Sequence, residues 1–362
     1  METDVLIIGA GPAGLTAAYE IAAKGLDVMV VDEGASIGGQ LPQQTQVLRS
    51  LPSSYQPMRG FELANMLIEQ LKDLPICILL KHRVIGLYKD GSIGISDEKD
   101  VFPVKAKKVI VATGAAEGSI PFPKWTLPGV MTIGAAQTLV NRDFVLPGKE
   151  GVIVGSSDFA MDVALQLMNV GVNLKGIIEK KSSPSARDKE KVEQVKNVGV
   201  PFYFHSTIKE ARGVGQLSEI DIEVEDRLIT EKVDLVCMDG GRFPLLDLFY
   251  QLNCSFGYQE ALGGWLPQYN HSFQTDRENV YAAGNASGIS SQGVLLLTGR
   301  IAGVSVCEAL NVIHQEEAEE LRHSLWRELE IIETSHNLDS YQARLDHIDN
   351  FTNPLLTDQF IS

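Results

Sequence analysis

Val5-Leu6-Ile7-Ile8-Gly9-Ala10-Gly11-Pro12-Ala13-Gly14 decides the fold. Four consecutive apolar residues read as a strand buried on both faces, as in a parallel sheet. A G-x-G-x-x-G turn follows without a gap. Ala13, Leu15, Ala17, Ala18, Ile21 and Ala22 then predict a helix with a small-residue face, which Gly25 ends. Residues 26–31 predict a second strand, closing in Asp32-Glu33. Gly9 permits the tight turn, Gly11 lets backbone approach a pyrophosphate, and Gly14 lets helix and strand pack closely. The helix start, from Pro12 and Ala13, offers free N–H groups and a positive dipole to phosphate. Asp32 can accept hydrogen bonds from ribose hydroxyls. The whole unit predicts a dinucleotide site.

The pattern recurs at residues 151–180. Residues 151–154 read as a strand, Gly155-Ser156-Ser157-Asp158-Phe159-Ala160 as the turn, and residues 161–170 as a helix stopped by Gly171. A second strand over 172–178 ends at Glu179. The copy is imperfect. Alanine at position 160 is tolerated in the third glycine place. Ser157 puts a Cβ where a pyrophosphate would approach. This leaves two alternatives, a second dinucleotide site or a domain that keeps the fold without the ligand.

Composition narrows the function classes. At 362 residues the chain suits two domains and an appendage. Apolar residues make up 44%, enough for full-sized cores, and mean hydropathy near zero predicts a soluble protein. No run of some eighteen apolar residues exists, so no segment reads as a membrane span. The acidic start Met1-Glu2-Thr3-Asp4 shows no secretory signal, which makes the cytoplasm the expected compartment. A net charge of −16 argues against nucleic acid as a partner. Cys77, Cys237, Cys254 and Cys307 are too widely spaced for a redox pair, a zinc site or an iron–sulfur loop. The seven histidines form no metal-binding pattern, so no metal is expected.

Two further segments bear on which dinucleotide binds. Gly38-Gly39-Gln40 follows Asp32, and Asn279-Val280-Tyr281-Ala282-Ala283-Gly284-Asn285 lies far downstream. Together with the opening fingerprint they resemble the pyridine nucleotide–disulfide oxidoreductase superfamily, in its thioredoxin-reductase-like branch. The resemblance implies an α/β fold of two Rossmann-like domains, the second, NAD(P)-binding-like, inserted in the first, FAD-binding one. It also implies FAD at Gly9, Gly11, Pro12, Ala13, Gly14, Asp32, Glu33, Gly39 and Gln40. Ala112-Thr113-Gly114 resembles the strand end at which the chain leaves the FAD domain, and residues 281–285 resemble the second FAD signature. That signature normally ends in Asp; Asn285 implies a modified contact to the ribityl chain. Gln292, Gly293 and Val294 open a helix whose N–H groups would, by the resemblance, face the flavin's pyrimidine edge. Leu295 to Leu297 read equally well as ordinary core. At the second turn, Gly155, Ser157, Ala160 and Glu179 are the NAD(P)H candidates. Lys180-Lys181 resembles the basic pair that holds a 2′-phosphate, but Glu179 beside it would repel one.

The inserted region carries no C-x-x-C, which excludes dithiol exchange by the thioredoxin-reductase route. Instead, residues 121–137 resemble the α-type subunits of heteromeric amine dehydrogenases: the hydrogen cyanide synthase, opine oxidase, sarcosine oxidase and hydroxyproline dehydrogenase group. The resemblance covers residues 1 to about 310, and no cysteine follows Cys307, so the iron–sulfur segment of larger members is absent. It implies a flavin-dependent oxidoreductase acting on a small-molecule substrate at a carbon beside an amine nitrogen. No catalytic acid or base is legible; Tyr55, Arg59, Trp125 and Gln292 lie in segments that could border a flavin or simply pack. Two alternatives stay open: a stand-alone NAD(P)H-dependent flavin reductase, and a non-catalytic FAD-bound scaffold or sensor. The expected domains are 1–117 with 243–312, 118–242, and a helical extension 313–362. In the extension Ala318, Leu321, Leu325, Leu329 and Ile332 recur at helical spacing, and 338–348 predicts a second helix. Its apolar end (Phe351, Leu355, Leu356, Phe360, Ile361) fits docking on its own body, contact in a homo-oligomer, or contact with a second dehydrogenase subunit. Its acidic face argues against a membrane surface.

Overall fold

The computed structural model describes residues 1–225 and 227–352. In chain order the elements that matter here are β1 (Glu2–Ile8), α1 (Pro12–Ala22), β2 (Val28–Asp32), β3 (Glu150–Val154), α2 (Asp158–Asn169), β4 (Asn173–Ile178), α3 (Gln292–Ala309) and α4 (Gln315–Thr352). The chain divides into two compact units, one from Met1–Ala116 and the chain from Phe243 on, the other Glu117–Arg242. The C-terminal extension belongs to the first unit.

In the first unit β1 lies between β2 and the long strand Val101–Val111, both parallel to it, and Ile76–Leu80 extends the sheet beyond β2. Val5, Leu6 and Ile7 are fully buried, as a strand covered on both faces requires. The distant strand Val280–Ala282 returns parallel to Val109–Val111. This places Ala283-Gly284 beside the end of Val101–Val111, with Ala283 N donating to Val111 O at 3.0 Å. The helix α3 then packs along α1. A Cβ on Gly299 would stand 2.1 Å from Ala13 O, and Thr16 Oγ1 donates to Leu296 O at 3.0 Å. Such backbone-to-backbone approach needs a residue with no side chain, and it ties the first turn of α1 to the first half of α3.

The second unit repeats the arrangement. A five-stranded parallel sheet runs in the order Val130–Thr132, Leu235–Met238, β3, β4, Phe202–Tyr203. A three-stranded antiparallel sheet, Ser206–Arg212, Glu219–Val224 and Arg227–Glu231, completes it.

In the extension α4 is two helices joined across Asn337, whose φ of −157° and ψ of 101° are extended. Ala318, Leu325, Leu329 and Ile332 are buried as the spacing predicts, while Leu321 is half-buried and Leu338 exposed. Leu355, Leu356, Phe360 and Ile361 lie outside the described residues. Among the described residues, no helix is long and apolar enough to cross a membrane, and no cluster of His, Cys, Asp or Glu is placed to hold a metal ion.

Candidate functional site

The first turn is open. Gly9 has a φ of +111°, and a Cβ there would stand 2.3 Å from Ala112 O. A Cβ on Gly14 would stand 1.9 Å from Gly9 O. Both positions are closed to any side chain. Gly11 differs: nothing lies within 4 Å of where its Cβ would be. Its lack of a side chain serves no internal contact, and leaves space in front of the helix. The helix α1 starts at Pro12 with no side-chain cap and no acidic residue in its first turn. Its free N–H groups and positive dipole end therefore face that space without a neutralising partner.

The surrounding loops complete a cradle. Asp32 Oδ2 accepts from Ala10 N at 2.6 Å and Oδ1 from Gly34 N at 2.6 Å. The carboxylate thereby braces the turn and keeps lone pairs for further donors. Gly38 N donates to Ala10 O at 2.9 Å, and a Cβ on Gly39 would meet Gly11 Cα at 2.9 Å. Gln40 is exposed and accepts from Gln43 Nε2. Glu33 is exposed and paired with Arg83 at 3.1 Å. From the other side, a Cβ on Gly284 would stand 2.8 Å from Ala13 Cβ, so the late strand closes on the first turn of α1. Asn285 Oδ1 accepts from Ser290 N at 3.3 Å. Gly114 has open space around its missing Cβ, and Thr113 Oγ1 donates to Leu245 O at 3.4 Å.

Two buried polar atoms in this region lack a partner: Ser291 Oγ and Gln292 Oε1, at the start of α3. Ser291 gives α3 no side-chain cap either. A buried, unsatisfied pair at an uncapped helix start is what a polar ligand edge would satisfy. Gly293 and Val294 are buried in the first turn of the same helix. An open turn, an uncapped α1, a carboxylate at the end of β2 and orphaned polar atoms at α3 fit FAD. Of the other bordering candidates, Tyr55 is half-buried against the core, with burial pushing its hydroxyl above the ordinary value. Arg59 and Trp125 are exposed.

The second turn is filled. Ser157 caps α2 itself, accepting from Ala160 N at 3.2 Å, and Ser157 N donates to Asp239 Oδ2 at 3.1 Å. Asp158 stands in the first turn of α2 and accepts from Arg187 N and Asp188 N at 2.9 and 2.8 Å. The buried Ser156 hydroxyl donates to Glu179. Glu179 also accepts from Lys181 N at 2.9 Å and Ser185 Oγ at 3.1 Å. Ser185 N and Ala186 N reach back to Ser156 Oγ and O at 2.8 and 2.7 Å. A Cβ on Gly155 would meet Asp239 O at 2.7 Å. Thus Ser157 N and Ala160 N are engaged within the protein and Asp158 and Asp239 stand beside them, while Glu179 stands just past the end of β4 as Asp32 stands at the end of β2. Arg242 lies over the Phe159 ring at 4.3 Å; burial lowers its pKa below the ordinary arginine value, although Glu117 and Asp239 oppose the shift. The second turn is thus capped and bridged from within the protein, where the first is not.

Three of the four cysteines are buried, and Cys77 is exposed. Burial pushes Cys237 up to about 12, Cys254 to about 11 and Cys307 to about 12, so the nucleophilic thiolate is scarce at neutral pH. Sequence reasoning passed over Ser156, Asp158 and Asp239 at the second turn, and Glu333 and Arg344 in the extension. Asp158 stands in the quoted fingerprint, where an acid in the first helical turn was a readable signal. The others carry none.

A family model, pyridine nucleotide-disulphide oxidoreductase, matches residues 3–308. An opine oxidase subunit of Rhizobium meliloti (strain 1021) is 27% identical over 85% of this chain and 71% of its own length. The hydrogen cyanide synthase subunit HcnB of Pseudomonas aeruginosa is 27% identical over 90% and 75%. Among solved structures, L-proline dehydrogenase from P. horikoshii superposes with a TM-score of 0.73 at 21% identity, covering 90% of this chain and 59% of that one.

Proposed function

Because the chain belongs to the pyridine nucleotide-disulphide oxidoreductase family, we propose that it is the FAD-carrying subunit of an amine or amino-acid dehydrogenase. The observation that carries this is the contrast between the open first turn and the filled second one. The relatives add weight, since the opine oxidase and cyanide synthase polypeptides are parts of multi-subunit enzymes. A second subunit is therefore the proposed partner. When bound, FAD supplies two-electron oxidation of a carbon next to an amine nitrogen.

The chain's own residues hold and tune. N–H groups at the start of α1 and the approach past Gly11 receive the diphosphate. Asp32 accepts the ribose hydroxyls while its bonds to Ala10 and Gly34 keep the turn rigid. Asn285, bound to Ser290 N, is proposed to lie beside the ribityl chain. Gly293 and Val294, in the positive end of α3, favour negative charge at the flavin's pyrimidine edge. The filled second turn argues that reducing equivalents come from the amine and not from NAD(P)H.

Anaerobic mixing tests this reading. The yellow protein, co-expressed with its neighbouring gene products, is expected to bleach with an N-substituted amino acid or a simple amine and to keep its colour with NADH or NADPH. Rapid bleaching by NADH with none by any amine would favour a flavin reductase instead.

A further inference from the structure

The C-terminal helix carries a buried ion pair with an unusual set of contacts. Glu333 and Arg344 lie on either side of the break at Asn337, and neither side chain is exposed. Arg344 Nε and Nη2 donate to the two oxygens of Glu333, both at 2.8 Å. The remaining contacts leave the helix. Arg344 Nη1 donates to Ser287 O at 2.9 Å and Tyr269 Oη at 3.0 Å, and Tyr269 Oη donates to Ser287 O at 2.7 Å. Ser290 Oγ donates to Glu333 Oε1 at 2.8 Å. The pair therefore grips both ends of residues 287–290, the segment between Asn285 and the uncapped start of α3. A Cβ on Gly293 would meet Ser50 O at 2.3 Å and, from the extension, Cδ1 of Ile332, next to Glu333, at 3.2 Å.

Stability alone does not explain this arrangement. Removing two charges from water costs several kcal/mol per ion, and well-packed apolar residues usually serve a core as well or better. What the pair adds is direction. It fixes Ser287 and Ser290, and so the angle at which Ser291, Gln292 and the first N–H groups of α3 are presented. Those groups matter only if a ligand sits against them, and two of their polar atoms are unsatisfied in the protein alone.

Resting on the FAD reading above, we propose that the C-terminal extension is part of the flavin site, with Glu333 and Arg344 as positioning residues that aim the start of α3 at the flavin. The positive end of a helix favours the reduced, more negative flavin over the oxidised one. Loosening the aim should therefore weaken binding of both forms, and of the reduced form more.

The test uses the full chain with FAD. Removing one partner alone would strand a buried charge, so Glu333→Leu is combined with Arg344→Met, which keeps volume without charge. Ser290→Ala cuts only the tie to the loop, and Ser290→Thr restores it. The readouts are FAD affinity by fluorescence quenching and the two-electron midpoint potential by dye equilibration. The double variant is expected to unfold at the wild-type temperature, to bind FAD about tenfold more weakly, and to favour the reduced form tenfold less. That last change is a fall of about 30 mV. Ser290→Ala should move both readouts the same way by about threefold, with Ser290→Thr close to wild type. A potential unchanged in either the double variant or Ser290→Ala, whether or not affinity falls, overturns the proposal. A wild-type chain that takes up no FAD would instead refute the functional reading beneath it.

Discussion

The chain builds the same strand–turn–helix twice and treats the two copies in opposite ways. At β1–α1 the helix begins bare: no cap, no acid in its first turn, and open space at Gly11. At β3–α2 the equivalent start is capped by Ser157, bound through Ser157 N by Asp239, and crossed by a loop anchored on Asp158 and Ser156. Both copies hold their backbone shape, since Gly9 and Gly155 each adopt a positive φ and each abuts the backbone of a neighbouring strand end. The difference teaches that a Rossmann-like turn can keep its backbone shape while its helix start is either bare or capped. The geometric glycines serve the fold and stay. The middle position serves the ligand, and once it carries a side chain the helix satisfies its own donors. An N-cap hydroxyl stabilises a helix by about 1 kcal/mol, so a turn of this kind gains stability by closing.

The comparison can be broken at its two middle positions. The larger effect is expected at Gly11→Val. Nothing lies within 4 Å of where its Cβ would stand, so the chain without cofactor should still fold, losing about 1 kcal/mol because valine is a poor N-cap residue. FAD affinity should fall by more than about a hundredfold, because the new methyl groups stand where the diphosphate must approach. A fluorescence titration of the apoprotein together with a thermal melt separates the two quantities. A variant that still binds FAD normally would show that the space at Gly11 is not the diphosphate site.

A smaller effect is expected from the reverse change, Ser157→Gly. The fingerprint glycine is restored, but Asp158, Asp239 and Glu179 remain. Stability should drop by only a few tenths of a kcal/mol, the usual cost of replacing a capping serine with glycine. No affinity for NADH should emerge in calorimetry. If binding does emerge, the serine alone kept the ligand out and the three carboxylates are incidental.

Much of this was legible in the amino-acid sequence. Periodicity and glycine spacing place β1, α1, β2 and their second copy, because those features are local and steric. The resemblance to a known family extends that to the strand at Val280–Ala282, which returns beside Val109–Val111. Ser157 raised the question of the second turn but could not answer it. The answer depends on Asp239, which is 82 residues away, and on a loop at 185–188 that carries no motif. The extension was legible as helical, through Leu325, Leu329 and Ile332, but not as part of a site. Glu333 and Arg344 look like two more charges on a highly charged helix, and only the break at Asn337 turns them to face each other. The resemblance implies a changed ribityl contact at Asn285; its bond to Ser290 N makes it a brace for the loop the extension grips.

The asymmetry of the two turns is tested most directly by binding stoichiometry. Apoprotein should be titrated by calorimetry with FAD, and the saturated protein then with NADH and NADPH. The expected result is one FAD per chain and no heat of binding from either nicotinamide nucleotide. A chain that takes up no FAD, or one that binds NADH at the second turn with ordinary micromolar affinity, would contradict it.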